Sequence, residues 1–215
     1  MYNKGTPTGV AVALAGIILS AGLARADTFA VTRANLAKSA IFTVTQTLAP
    51  KGGTKFVRVF KIEVKGEKAR VDFADPNAGD MRYIANDKGL FIYIPGNKTA
   101  MKQSVKGGVE SALKQAFAQA NSGLAGAKKV GTAIVSGQPT DVYRDPKKGS
   151  VVYMGTANGF RLPVKVEQTN VGGTTTLVVT GIRLNPVLAD TEFVLPTGTH
   201  VEGSEEGGAE LPGAR

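Results

Sequence analysis

The chain has 215 residues, with 26 Lys and Arg against 17 Asp and Glu, a formal net charge of +9, one His, and neither Cys nor Trp. The absence of Cys excludes disulfides, thiolate metal sites, iron–sulfur clusters and thiol nucleophiles. The basic residues are dispersed, paired only at Lys128-Lys129 and Lys147-Lys148, which fits a solvated surface rather than a nucleic-acid stripe.

In chain order, the first segment reads as a targeting signal. Lys4 and the free amine, with no acid, precede an apolar run from Val10 to Leu23, which closes on Ala24-Arg25-Ala26. Charged, apolar and small-residue regions in that order are those of a cleavable secretory signal, and the run is shorter than the ~20 residues of a membrane span. Residues 1–26 are therefore expected to be a signal peptide, leaving a periplasmic or secreted protein, soluble after cleavage near Ala26. No Cys follows that could carry a lipid anchor.

The remaining 189 residues (215 less 26) suit one domain with a sizeable core. Thr32 to Lys38 is a candidate short helix with Thr32 at its N-cap. From Ile41 the pattern is one of strands. Ile41–Leu48 is β-branched and aromatic and ends at the turn Pro50-Lys51-Gly52-Gly53. In Thr54–Lys65, Phe56, Arg58, Phe60, Ile62 and Val64 alternate with Val57, Val59, Lys61 and Glu63, the period of a strand with one face more buried. Ala69, Val71 and Phe73 alternate with Arg70 and Asp72 in the next strand, and shorter strands follow to Gln103 with turns at 75–79, 86–89 and 95–98. The period then changes. Val109, Leu113, Ala116, Phe117 and Ala120 recur at helical spacing, which predicts an amphipathic helix over about 108–121. Strands resume at Lys129 and run to Leu184. Asn185-Pro186 opens a short turn or helix, and from Glu202 the chain is Gly, Glu and Ala, the composition of a disordered tail. Hairpin succession around one helical insert predicts an α+β domain over 27–201, with a single large antiparallel sheet and an acidic tail at 202–215.

No catalytic constellation emerges. His200 stands alone, no Ser lies in a Gly-x-Ser-x-Gly elbow, and the Gly-rich turns lack the Lys-Ser or Lys-Thr of a phosphate loop. Asp72, Asp75 and Asp80 form the densest acid group, but Arg70 and Arg82 alternate with them, as cross-strand charge pairs do. They do not match a calcium loop. The expectation is a non-enzyme with no metal, no cofactor and no nucleic-acid partner.

Two stretches carry a resemblance. One runs Lys68-Ala69-Arg70-Val71-Asp72-Phe73-Ala74-Asp75-Pro76 and then Asp80 to Lys98, through Asp87-Lys88-Gly89 and Tyr93-Ile94-Pro95. The other runs Ile182-Arg183-Leu184-Asn185-Pro186 and then Phe193-Val194-Leu195-Pro196-Thr197-Gly198-Thr199-His200-Val201. Together they resemble the LolA-type outer-membrane lipoprotein carrier superfamily, over most of residues 30–201. The resemblance implies a curved half-barrel of about eleven strands, with the helical insert covering its concave face and an apolar cavity for acyl chains. It departs from the family's lipoprotein shuttles in having no Trp and only a short first helix.

From this follows the expectation of an exported carrier or binder of lipid or lipoprotein acyl chains, with membrane-embedded donor or acceptor proteins as further partners. The alternative is an envelope sensor or interaction module of the same fold that acts on a protein partner. The concave wall would come from Phe60, Ile62, Val71, Phe73, Tyr83, Ile92, Val164, Val166 and Val178, with Met101, Leu113 and Phe117 lining or lidding the opening. The same residues would equally serve a filled core, because periodicity does not separate the two.

Overall fold

The computed structural model describes residues 39–66, 68–75, 79–103, 127–145, 149–157 and 160–202. The expected signal at 1–26, the candidate helices at 32–38 and 108–121, and the acidic tail from 203 onward lie outside the described residues, as do Leu113 and Phe117.

The strands are β1 (Ser39–Pro50), β2 (Phe56–Lys65), β3 (Lys68–Asp75), β4 (Gly79–Asn86), β5 (Gly89–Ile94), β6 (Thr99–Gln103), β7 (Lys128–Val135), β8 (Gln138–Asp145), β9 (Ser150–Ala157), β10 (Phe160–Asn170), β11 (Gly173–Leu184) and β12 (His200–Glu202). They form one sheet in the order β12-β6-β5-β4-β3-β2-β1-β11-β10-β9-β8-β7. The sheet is open, with β7 and β12 at its edges. Two hairpin meanders, β1–β6 and β7–β11, meet where β1 pairs with β11, and β12 joins the first half through the parallel pair with β6. The sheet has twelve strands rather than about eleven. The extra one comes from residues 200–202, where the chain returns to the β6 edge after a 3₁₀ turn at Asp190–Phe193.

Alternation explains which face each residue takes. Phe42, Val44, Gln46 and Leu48 of β1 stand opposite Ile62, Phe60, Arg58 and Phe56 of β2. Phe60 and Ile62 in turn stand opposite Phe73 and Val71 of β3, and Val71 opposite Tyr83 of β4. These side chains share one face. The other face of the same strands carries Lys61, Glu63, Arg70, Asp72 and Arg82. Here the expected cross-strand pairing is found between Asp72 and Arg82, and Asp72 also bonds Arg70 of its own strand.

Two bulges keep the apolar phase in the second half. Residues 181 and 182 of β11 together stand opposite Phe42, between the pairs Thr43↔Thr180 and Ile41↔Arg183. Gly181 takes φ +63 there, a conformation that glycine adopts at little cost. The bulge brings Leu177, Val179, Ile182 and Leu184 onto one face although their numbers change parity, and all four belong to the core beneath β1 and β2. A second bulge, between Pro163 and Lys165 opposite β9, occurs beside the fully buried Val164.

After Leu184 the chain crosses the opposite face as a strap. The Asn185 amide donates to the Ser39 carbonyl, and Ser39 Oγ donates to the Pro186 carbonyl. Lys65 Nζ reaches the Leu188 carbonyl. The 3₁₀ turn then packs on β3 and β4, with Glu192 against Arg70 and the buried Asn86 amide donating to the Phe193 carbonyl at 2.7 Å. Phe193 is wholly buried.

Candidate functional site

The apolar face is the one feature of the described residues that suits a ligand. Its largest cluster contains Ala40, Phe42, Val44, Phe60, Ile62, Val64, Val71, Phe73, Tyr83, Ile92 and Val179. A second cluster, of Val135, Val152, Met154, Leu162 and Val164, adjoins it on β7, β9 and β10; Val152 and Met154 keep the phase of the face, whereas Val135 and Leu162 stand opposite Gln138 and Gly155 and do not, and Ile182 packs against both clusters. An aromatic ladder crosses three strands. Phe60 and Phe73 meet at 5.3 Å between ring centroids and 41°, and Phe73 stacks on Tyr83 at 5.3 Å and 7°. Such offset and tilted pairs add about 0.5–1.5 kcal/mol each beyond the burial of their area.

The residues expected to form the wall divide as follows. Phe60, Ile62, Val71, Phe73, Tyr83 and Ile92 lie together in the first cluster. Val164 lies in the second, and Val166 packs half-buried against it. Met101 is opposite Ile92 on the edge-side strand β6 and is 37% exposed. Val178 is not part of this face. It pairs with Thr45 and Lys165 and points away from Val44 and Val179. Leu177, Val178 and Val179 form an unbroken apolar run, which carries no period-2 phase, and the bulge at Gly181 is invisible in a residue pattern. Leu113 and Phe117 are outside the described residues.

The face is not apolar throughout. At the end nearest the turns 51–55 and 171–172, Gln46 and Ser150 are buried, and Gln46 Oε1 and Ser150 Oγ have no hydrogen-bond partner among the described residues. Arg58, across from Gln46, holds its guanidinium 4.8 Å from the centre of the Phe56 ring.

The charges on the opposite face are structural. Lys65 and Lys68, one on each side of the β2–β3 turn, both bind Asp190 of the strap, at 3.0 and 2.9 Å. The hydrogen bond from Lys68, then that from Lys65, holds the Asp190 carboxyl below its ordinary value of 3.8. A depressed carboxylate contributes its stabilisation in full above the unfolded-state value and loses it as the pH falls through the folded-state value. The strap is therefore expected to loosen as the pH falls below about 3.8. Amide exchange measured in the strap against pH checks this, and Asp190→Asn should remove that acid-dependent component. A further ion pair lies at the far end of the apolar side, where Asp141 of β8 stands opposite Met154 and is held below the same ordinary value by Lys129 and Arg161. Tyr153 is pushed up by burial and then by Glu167, whose carboxylate accepts from its hydroxyl at 3.2 Å. A phenol held protonated in this way is no nucleophile at neutral pH. Among the described residues no three of His, Asp and Glu gather to hold a metal ion, and no helix is long and apolar enough to cross a membrane.

The sequence matches no family model and no curated protein. Solved structures do match. A conserved protein of Thermus thermophilus is similar over 79% of this chain and 93% of its own, at 11% identity and a TM-score of 0.51. A LolA superfamily protein of Nitrosomonas europaea matches over 83% and 96%, at 11% identity and 0.47. The lipoprotein LppX of Mycobacterium tuberculosis matches over 84% and 96%, at 12% identity and 0.45. At such identities the likeness to the Thermus protein is one of fold alone, and the fold of this chain is one large, open antiparallel sheet with an apolar face.

Proposed function

We propose that the protein is an exported, non-enzymatic carrier or binder of lipid or lipoprotein acyl chains, released near Ala26 and working in the cell envelope. The observation that carries this reading is the continuous apolar face, which spans the sheet from β5 through β1 and β11 to β9 and includes the Phe60–Phe73–Tyr83 ladder. A face of this kind, on one large open sheet and in a chain whose sequence resembles the lipoprotein carriers, suits a long apolar ligand. Each methylene transferred onto it from water contributes about 0.8 kcal/mol. Membrane-embedded donors or acceptors of the cargo belong to the same reading.

Native mass spectrometry of the full chain purified from its own envelope, together with titration of a fluorescent fatty acid, tests it. The expected result is an acyl-bearing adduct and saturable uptake of the probe that unlabelled fatty acid displaces. If no adduct appears and the probe is not taken up, the carrier reading is wrong.

A further inference from the structure

Gln46 breaks the rule of its own strand face. Its neighbours along that face of β1 are Val44 and Leu48, and across the ladder it stands between Arg58 of β2 and Leu177 of β11. It is 7% exposed, and its Oε1 accepts no hydrogen bond from the described residues. Arg58, the donor closest in register, lies over the Phe56 ring. A buried acceptor left unpaired is a standing cost that Leu in the same place would not incur. Ser150 Oγ repeats the anomaly on β9, towards the same end of the same face. Deeper along the sheet, at Val44, Phe60 and Val179, the face is apolar. It is thus amphipathic along its length, with a hydrogen-bond acceptor at the boundary.

We propose that Gln46 is the subsite for the polar end of the ligand. Its Oε1 accepts a hydrogen bond from an N–H or O–H group beside the acyl carbonyl, while the chain lies over Val44, Phe60 and Val179. This rests on the acyl-binding reading above and adds a specificity to it. An acyl amide or acyl glycerol, which carries such a donor, is preferred to an ester of the same length that carries none. Sites that present a buried polar atom reject ligands unable to pair with it far more strongly than apolar pockets reject an extra methylene.

The test uses the full chain and three probes, N-methylpalmitamide, methyl palmitate and 1-palmitoylglycerol, each displacing a fluorescent fatty acid. The wild type should bind the amide, the glyceride or both about tenfold more tightly than the ester, and which of the two is favoured identifies the source of the donor. Gln46→Leu should bind all three alike, with an unliganded unfolding midpoint no lower than that of the wild type. Gln46→Met serves as a second variant should the first fail to fold. If the wild type does not distinguish the ester, or a folded variant keeps the preference, the subsite assignment is overturned and acyl binding stands. If no probe binds, the acyl-binding reading itself falls.

Discussion

Replacing Phe193 by Ala should lower the stability of the domain by about 3–5 kcal/mol, the range for truncating a fully buried aromatic side chain, and should free the strap from the sheet. Phe193 is the deepest side chain of a segment whose other attachments are weak. The Asp190 pairs with Lys65 and Lys68 involve side chains that are 65%, 38% and 36% exposed, and solvent screening leaves such exposed pairs with little to contribute. The Arg70–Glu192 pair is half-shielded. β12 adds only three residues to the edge of β6, all of them exposed. Phe193 is therefore the anchor that makes those contacts cooperative. Its loss leaves a hole over β3 and β4, and it also releases the Asn86 amide, whose acceptor is the Phe193 carbonyl. Urea unfolding measures the first effect. Amide exchange in β6 and β12 measures the second, and should rise far more than in β1 or β11. A loss below about 1 kcal/mol, with unchanged protection of β6, would show that the strap is held by its charges instead.

The strap also marks where residue patterning ceases to be informative. In β2 and β3 apolar residues alternate with charged ones over most of their length, so the sequence alone puts Phe60, Ile62, Val71 and Phe73 on one face, and Lys61, Arg70 and Asp72 on the other. Period-2 patterning is a local property, and it survives wherever the strand is regular. It fails at bulges, which shift the phase without a residue signature. Gly181 with its positive φ is what lets Val179 and Ile182 share a face, and a lone glycine in a strand does not announce that shift. The pattern also fails where one chain segment covers another. Phe193-Val194-Leu195 has the composition of a strand, but Pro186 and Pro196 bracket it and no strand among the described residues pairs with it, so its aromatic residue becomes a plug on a 3₁₀ turn. Asn86 has the composition of an ordinary turn residue, and its buried bond to the strap is a contact between residues 107 apart. Gln46 stands out in the sequence as the one polar residue in the series Phe42, Val44, Gln46, Leu48. Nothing in that series says that its side-chain oxygen is buried without a partner among the described residues.

The second large effect is expected at the seam between the two meanders. β1 and β11 pair over almost their whole length, from Ala40↔Leu184 to Pro50↔Gly173, and of the strand pairs this one alone joins the β2–β6 half to the β7–β10 half. It is also among the pairings most distant in sequence, so chain entropy weighs heavily against it until both halves have formed. The pairing closes at Gly173, which takes φ +140. A Cβ built there would lie 2.3 Å from the Ala49 carbonyl oxygen and 2.7 Å from the Pro50 Cα, both of them backbone atoms that no rotamer change can move aside. The neighbouring turn is held from the same side by the Lys51 amide, which donates to the Gly172 carbonyl at 3.0 Å. Gly173→Ala must therefore either strain its own backbone or push β1 off β11. Backbone strain of this kind costs about 1–3 kcal/mol, and overpacking against fixed atoms costs a similar amount, so a loss of about 2–5 kcal/mol is expected. Gly52→Ala, in the facing turn, is the matched control. It too has a positive φ, +75, but nothing lies within 4 Å of its Cβ position, so its cost should be limited to backbone strain. If the two variants unfold at the same denaturant concentration, the close approach at the seam does not matter. If Gly173→Ala is lower by the expected margin, with the early loss of protection confined to β1 and β11, the two halves are held together at the pairing that also aligns Val44 with Phe60 and Val179 across the apolar face.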